Sequence, residues 1–281
     1  MGFHSSMLEE LTIKVQTLID EDGVKFALTV IVALLVIFIT SFIVQKVLFK
    51  STNRTFILVG PKKSGKTSLF YYLTTGETPK LTVTSIEPSI GKLKLHDDQY
   101  SETFTDVVIR DYPASSKLKN LYLYPFLKKN LRGCKGLIYV VDSSCFDLSY
   151  CNMVANDLLE LLNITESIPN GVDIAIFCNK CDYFTSRKPK KIKEMLEDEI
   201  TKLYKLKLRN INKVSLHDTA EDADADESED EDNLEDTLNT AFQRGEFKFE
   251  MLEGNVDFLE GNAYKQNTES LTNWFCEKAA N

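Results

Sequence analysis

The chain has 281 residues, of which 43% are hydrophobic, and a formal net charge of −9 at pH 7. This size and composition allow one globular domain with a buried core and short appendages, and the six cysteines lack the spacing of a disulfide framework. Residues 221–236 hold eleven carboxylates and no basic residue, so the acidity belongs to one segment, and neither it nor the remainder indicates direct DNA binding.

The first predicted element is a membrane span at residues 26–44, where nineteen consecutive residues carry no charge. At about 1.5 Å per residue this helix would reach roughly 28 Å, close to the hydrocarbon thickness of a bilayer. Residues 1–25 are mainly acidic in their charges, whereas residues 45–54 carry three bases and no acid. This asymmetry predicts a lumenal segment 1–25, a juxtamembrane linker 45–53 and a cytosolic remainder. A buried core helix is the alternative, although uncharged runs of this length are rare in soluble folds.

From residue 54 onward, short β-rich runs alternate with helical stretches. The predicted strands are 55–59, 90–95, 101–110, 136–141, 172–178 and 256–259, and further along the chain helices are predicted at about 147–163, 189–208 and 268–280. Apolar strands that alternate with helices predict an α/β fold with a mostly parallel, doubly wound sheet and helices on both faces. This domain is predicted to cover residues 54–281, with an acidic, disordered insertion at about 217–245.

A phosphate-binding sequence follows the first predicted strand. Residues 60–67 (GPKKSGKT) match GxxxxGK[ST] between a strand and a helix, which is the context that distinguishes a true P-loop from a chance match. Its glycines let the backbone approach phosphates, and its N–H groups and the Lys66 ammonium interact with their oxygens. The Thr67 hydroxyl is expected to bind Mg²⁺. The nucleotide-binding residues expected here are Gly60, Lys63, Ser64, Gly65, Lys66, Thr67 and Ser68.

The choice of base is predicted by residues 179–182 (NKCD), which end the fifth predicted strand and resemble the NKxD motif of GTPases. The Asp182 carboxylate could accept from both the N1–H and the N2 amino group of guanine. Adenine offers no such pair of donors, so it would be rejected. By resemblance, Asn179 contacts the base N7 and the loop, and Lys180 covers the base.

Three weaker motifs lie after other predicted elements. Asp111 and Ala114 begin and end the sequence DYPA, which resembles DxxG, where the Asp reaches Mg²⁺ through water and the last N–H senses the γ-phosphate. Ala263 ends GNA, which resembles the SAK loop, where the alanine N–H meets the guanine O6. Thr84 is the candidate for the threonine that closes over Mg²⁺, with Thr82 as the nearest alternative.

With these motifs in place, the chain resembles the β subunits of the signal recognition particle receptor, a family with one N-terminal membrane span followed by an Arf/Sar-like GTPase domain. The likeness covers about residues 26–281, including the C-terminal stretches VDFLEGNA and LTNWFCEKAA. It implies a P-loop GTPase fold, bound GTP and Mg²⁺, and a single-pass protein of the endoplasmic reticulum membrane with its GTPase domain in the cytosol. It also implies that the GTP-bound form holds the receptor's α subunit, so that ribosomes carrying signal sequences dock at the translocon.

Two positions depart from the family pattern. Ala114 stands where the family usually has glycine, and its Cβ restricts the backbone conformations available to the switch. Ser115 stands where Gln or His would orient the attacking water. We therefore expect tight GTP binding with slow or absent intrinsic hydrolysis, unless a partner supplies a catalytic group.

Two alternative functions remain open at this point. One is an Arf/Sar-type GTPase that drives vesicle coat assembly, but those proteins generally insert an amphipathic N-terminal helix instead of an uncharged span. The other is a nucleotide-binding scaffold without turnover. The intact motif residues Lys66, Thr67, Asn179 and Asp182 argue against a degenerate pocket.

Overall fold

The computed structural model describes residues 30–38, 40–41, 54–97, 102–215, 242–243 and 245–280. The chain divides into two compact units, Met1–Thr52 and Asn53–Asn281. In the first unit, residues 30–38 and 40–41 are helical with exposed side chains. No helix within the described ranges is both long and apolar enough to cross a bilayer. The predicted span 26–44 extends past these residues at both ends, and the predicted segments 1–25 and 45–53 lie outside them.

The second unit is built on a six-stranded sheet. Its strands in chain order are β1 (Arg54–Val59), β2 (Ser89–Asp97), β3 (Glu102–Asp111), β4 (Cys134–Asp142) and β5 (Ile174–Asn179), and the last is β8 (Val256–Glu260). The strand order is β2-β3-β1-β4-β5-β8, and every pairing is parallel except that of the edge strand β2 with β3. The prediction of a mostly parallel sheet is therefore confirmed. Two short strands, β6 (Phe242–Gln243) and β7 (Glu246–Phe247), form a separate antiparallel pair.

Helices cover both faces of this sheet. They are α1 (Lys66–Thr75), α2 (Ser116–Leu118), α3 (Tyr124–Asn130), α4 (Leu148–Thr165), α5 (Pro189–Ser215) and α6 (Glu269–Ala280). A π-helical turn, Lys119–Leu123, joins α2 to α3. The Asp147 carboxylate caps α4 by accepting a hydrogen bond from the Tyr150 N–H at 2.7 Å. Helix α5 is longer than predicted and reaches Ser215.

The strands divide their side chains between two cores, because successive residues of a strand point to opposite faces. Ile57 of β1 packs in one core with α3, α4 and α5, whereas its neighbour Phe56 packs in the other with α1 and α6. In this second core the ring centroids of Trp274 and Phe275 lie 5.9 and 4.8 Å from that of Phe56. The continuous apolar sequence of β1 therefore follows from helices on both faces of the sheet.

The predicted acidic insertion at 217–245 lies outside the described residues except at its C-terminal end. There the structure has strand β6 where the prediction has a loop. Aromatic contacts explain this strand, because the Phe242 ring stacks on Tyr204 of α5 at 3.7 Å between centroids and meets Phe247 at 5.3 Å. The ring series continues through Phe249 to Phe258 of β8. The chain thus returns to the helix that precedes the insertion.

Gly136 of β4 should not tolerate even one added methyl group. A Cβ at this position would lie 2.5 Å from Cη2 of Trp274 and 3.3 Å from the carbonyl oxygen of Asp173, so the indole or the backbone would have to move. We expect Gly136→Ala to lower the free energy of unfolding by about 1 to 3 kcal/mol, measured by denaturant titration with circular dichroism.

The matched control for this substitution is Gly133→Ala. A Cβ at Gly133 would have no atom of the described residues within 4 Å, so the free energy of unfolding should change by less than about 0.5 kcal/mol. Equal stability of the Gly136→Ala variant and the unaltered chain would contradict the close packing of β4 against α6.

Candidate functional site

The predicted P-loop lies between β1 and α1 and has the backbone that its sequence requires. Gly60 and Gly65 have φ angles of 139° and 92°, in the region that favours glycine. A Cβ on Gly60 would lie 2.3 Å from the carbonyl oxygen of Val140 in β4, so a larger residue does not fit. In the described structure no side chain caps the first turn of α1. The N–H groups of the loop and helix N-terminus therefore form a surface suited to an anion.

Lys66 is the cation of the P-loop, and it is almost fully buried. Its Nζ donates to the carbonyl oxygen of Pro61 at 2.9 Å, and the buried Ser64 hydroxyl donates to the same oxygen at 3.0 Å. Burial lowers the pKa of Lys66 to about 8, although the Asp111 carboxylate acts in the opposite direction. A buried ammonium at the mouth of an anion-binding loop is well placed to attract a polyphosphate.

A cluster of hydroxyl and carboxylate oxygens beside the P-loop has the donors of a magnesium site. The Thr67 hydroxyl donates to Asp111 Oδ2 at 3.2 Å and lies 3.3 Å from the hydroxyl of Ser85. The other carboxylate oxygen, Asp111 Oδ1, is buried without a hydrogen-bond partner among the described residues. Burial raises the pKa of Asp111 to about 6, while Lys66 and the Thr67 hydrogen bond act in the opposite direction. Magnesium prefers such oxygens and keeps several waters, so the unpaired carboxylate oxygen beside Thr67 fits this ion.

Asn179, the last residue of β5, connects three loops through its side chain. Its Nδ2 donates to the carbonyl oxygen of Ser64 at 2.8 Å, and its Oδ1 accepts from the Ala263 N–H at 3.0 Å. Asn179 is only 2% exposed, and a Cβ on Gly65 would lie 2.3 Å from its Nδ2. We call residues 179–182 and 261–263 the base loops, because both are predicted to contact the nucleotide base. The Asn179 amide therefore fixes the P-loop and the two base loops to each other. In this arrangement the Ala263 N–H, which the resemblance assigns to guanine O6, donates within the protein.

Lys180 and Asp182 leave the same turn in different directions. The Lys180 ammonium donates to the carbonyl oxygen of Lys63 at 2.9 Å and pairs with the Asp142 carboxylate, so the side chain reaches from the base loop to the P-loop. Asp182 is exposed, and its Oδ2 lies 3.0 Å from Nζ of Lys265 in the loop after β8. The turn after β5 thus carries the Lys180 ammonium, which contacts the P-loop, and the Asp182 carboxylate, which pairs with Lys265.

The predicted switch residues border a cavity of about 190 Å³ beside the P-loop. Thr67, Thr84 and Ala114 all line it. Thr84 is exposed, and the hydroxyl that contacts Thr67 belongs to its neighbour Ser85. Ser68 is half-buried in the first turn of α1. The structure therefore brings the predicted residues to one edge of the sheet, but it favours Ser85 over Thr84 as the hydroxyl beside Thr67.

Sequence reasoning missed both Ser85 and Asp142. A hydroxyl of the right kind occurs at several positions before β2, so the pattern alone does not single out Ser85. Asp142 ends β4 and also accepts hydrogen bonds from the N–H and hydroxyl of Ser144. The available signal was a polar Asp-Ser-Ser sequence directly after a buried strand, where ligands of parallel sheets bind.

Asp111→Asn should stabilise the chain while weakening its binding of Mg²⁺. The pKa of Asp111 is raised to about 6 in the folded chain, so above about pH 6 its buried carboxylate is ionised and lowers the free energy of unfolding. At lower pH the carboxylate is protonated and this cost disappears. We expect the variant to have a free energy of unfolding higher by about 1 to 3 kcal/mol near neutral pH, and the difference to vanish towards about pH 4. Denaturant titrations across this pH range, without Mg²⁺, measure the effect.

The control for charge removal is Asp147→Asn, at an exposed helix cap where asparagine also fits. Its stability should follow that of the unaltered chain throughout. A stabilisation by Asp111→Asn that does not change with pH would show that the buried carboxylate is not its cause.

Known proteins are similar to this chain in sequence and in fold. Residues 51–256 match the family model for the signal recognition particle receptor beta subunit. The signal recognition particle receptor subunit beta of Saccharomyces cerevisiae is 36% identical over 230 residues, which cover 82% of this chain and 86% of that protein. A structure of the mammalian signal recognition particle receptor is similar with a TM-score of 0.59 at 25% identity, over 80% of this chain and 100% of that chain.

A complex from Chaetomium thermophilum, described as the signal recognition particle receptor SRb-GTP/SRX complex, is similar with a TM-score of 0.58. Its identity of 20%, over 81% of this chain and 99% of that chain, supports the fold alone. The family model covers most of the chain, and the yeast protein is 36% identical over most of the length of both proteins. The chain therefore belongs to the family of signal recognition particle receptor beta subunits.

Proposed function

We propose that this chain is the GTP-binding subunit of a signal recognition particle receptor, and that it holds the receptor's α subunit at the endoplasmic reticulum membrane when GTP and Mg²⁺ are bound. In this role it would bring ribosomes with signal sequences to the translocon. The observation that carries the proposal is the Asn179 junction, which joins a P-loop to two base loops in a member of this family.

Guanine is the base that the chemistry of these loops favours. Asp182 carries a partly exposed carboxylate, paired with Lys265, on the base loop after β5, and guanine presents two adjacent donors to such a group. Lys180 spans from this loop to the P-loop, where its side chain can cover a base. The P-loop, Lys66 and the Thr67–Asp111 cluster would then bind the phosphates and Mg²⁺.

Attachment to the membrane is proposed from the uncharged residues 26–44. Within this stretch the helical residues 30–38 carry exposed apolar side chains, including Ile37 and Phe38 at 62% and 71% exposure. A bilayer would remove this apolar surface from water. The charge asymmetry around the stretch supports a cytosolic GTPase domain.

Asp182→Asn should change the nucleotide that supports capture of the α subunit. Xanthine has a carbonyl oxygen where guanine has its amino group, so a carboxamide at residue 182 pairs with xanthine and mismatches guanine. We expect membranes to retain the unaltered full chain after an alkaline wash. These membranes should capture the α subunit with a non-hydrolysable GTP analogue, but not with GDP or an ATP analogue. The variant should lose GTP-analogue affinity by about 100-fold or more and respond to the xanthosine analogue instead.

Asp147→Asn makes the same chemical change at the N-cap of α4 and should leave the response to guanine nucleotides intact. Loss of the chain in the alkaline wash would contradict the membrane anchor. Capture that is equal with all nucleotides, or with none, would contradict a nucleotide-dependent tether.

Slow hydrolysis is proposed because the short hydroxyl of Ser115 is a poor substitute for the Gln or His side chain that orients the attacking water. Its carbonyl oxygen accepts from the N–H groups of Leu118 and Lys119, so its backbone is committed to starting α2. We expect Ser115→Gln to raise the single-turnover hydrolysis rate of the purified chain by about tenfold or more. Ser116→Gln, on the next, exposed residue, should leave the rate unchanged. An unaltered chain that hydrolyses GTP at about 1 s⁻¹ or faster without a partner would refute this proposal.

A further inference from the structure

A buried lysine lies in the π-helical turn between α2 and α3. The Lys119 side chain is 4% exposed, and its Nζ lies 2.5 Å from Asp157 Oδ2 on α4. The same carboxylate oxygen accepts from the hydroxyl of the buried Tyr139 of β4 at 3.0 Å. A lysine is rarely buried to this degree without a partner, because an unpaired buried charge is strongly destabilising. The ion pair therefore fixes the π turn against α4.

The π turn sets the register of the helical segment that follows the DYPA sequence at residues 111–114. The Tyr124 N–H donates to the carbonyl oxygen of Lys119, five residues earlier, whereas an α-helix bonds residues four apart. Conversion to an α-turn would therefore shift the residues before the turn relative to those after it. The later part is held by Leu127, which is fully buried in the core. The part before the turn contains Ala114, which is only half-buried, and the start of α2.

The ion pair is also coupled to the P-loop. The charge of Lys119 lowers the pKa of Lys66 and that of Asp157 raises it, both less than burial does. Asp157 and Ala114 line one cavity of about 530 Å³ together with Pro61 of the P-loop. The pair thus lies close to the region between Lys66 and Ala114, where a terminal phosphate on this P-loop is expected.

We infer that the Lys119–Asp157 pair positions Ala114 for a triphosphate, and so makes the chain prefer GTP to GDP. This inference rests on the proposed nucleotide function and names a residue pair that sets its selectivity. Lys119 acts through the helix: its bond to Asp157 selects the π register, and the π register sets the place of the Ala114 N–H. A diphosphate does not reach this N–H, so its affinity does not depend on the register.

Lys119→Met tests the inference, because methionine keeps most of the side-chain length and removes the charge. The measured quantity is the ratio of the dissociation constants for GDP and a non-hydrolysable GTP analogue, determined on the full chain in detergent with Mg²⁺. We expect the ratio to fall by about tenfold, through weaker binding of the triphosphate, while the GDP affinity changes by less than about twofold. Asp157→Asn should move the ratio in the same direction, and the double variant should go no further than Lys119→Met, since the two residues act as a unit.

Lys278→Met is the matched control. Lys278 of α6 is 8% exposed and lies 3.1 Å from Asp173, so its burial and pairing resemble those of Lys119, but its partner precedes β5 at the opposite end of that strand from Asn179. Its loss should lower the melting temperature and leave the ratio unchanged. A purely structural role for Lys119 predicts the same result for Lys119→Met.

Two outcomes decide against the inference. A ratio within about twofold of that of the unaltered chain, in either Lys119→Met or Asp157→Asn, refutes it whatever the melting temperatures. If Lys119→Met does not fold, the ratio in Asp157→Asn decides alone, because its amide can still accept from Tyr139. Failure of the unaltered chain to bind either nucleotide refutes the proposed function and the inference together, whereas normal binding with an unchanged ratio refutes the inference only.

Discussion

The side-chain amide of Asn179 is the contact on which the geometry of the site depends. Strand β4 lies between β1 and β5, so the P-loop after β1 must cross the end of β4 to reach β5. The missing Cβ of Gly60 permits this crossing, because the loop passes directly over the carbonyl of Val140. Asn179 then binds the loop on one side and the Ala263 N–H on the other. Three chain segments far apart in sequence are thereby held together with both polar ends of the amide satisfied.

The same edge of the sheet also holds charges that oppose folding. Burial lowers the pKa of Lys66 and raises that of Asp111, which in each case favours the neutral form, and one Asp111 oxygen has no hydrogen-bond partner in the part of the chain that the structure describes. Such groups are retained where an anion and a cation are expected to bind, since each then gains the partner that the protein does not supply. The apolar cores on both faces of the sheet provide the stability that offsets them. Structure and function thus occupy different parts of the same strands: β4 and β5 have buried apolar residues along their length and the polar residues Asp142 and Asn179 at their carboxyl ends.

Sequence patterns were sufficient for the elements that depend on local chemistry. The apolar runs of β1, β4 and β5 are buried strands, and the P-loop and NKCD sequences follow strands as predicted, because the backbone and its neighbours in sequence determine both. The missed features depend on contacts between distant residues. Strand β6 exists because Phe242 stacks on Tyr204, and Lys119 is buried because Asp157 is present on another helix. Neither a two-residue strand nor a lysine with a distant partner leaves a periodic signal in the sequence.

The stacked rings of Tyr204 and Phe242 have a consequence for how this family can vary. They hold Phe242 beside α5, which ends at Ser215, so both ends of the stretch between α5 and β6 are fixed by the same folded unit. Under that condition the entropy of closing a loop grows slowly, by about 0.6 kcal/mol for each doubling of its length. Evolution can therefore lengthen, shorten or recharge residues 216–241 with little effect on the sheet, which leaves this stretch open to acquire a partner of its own.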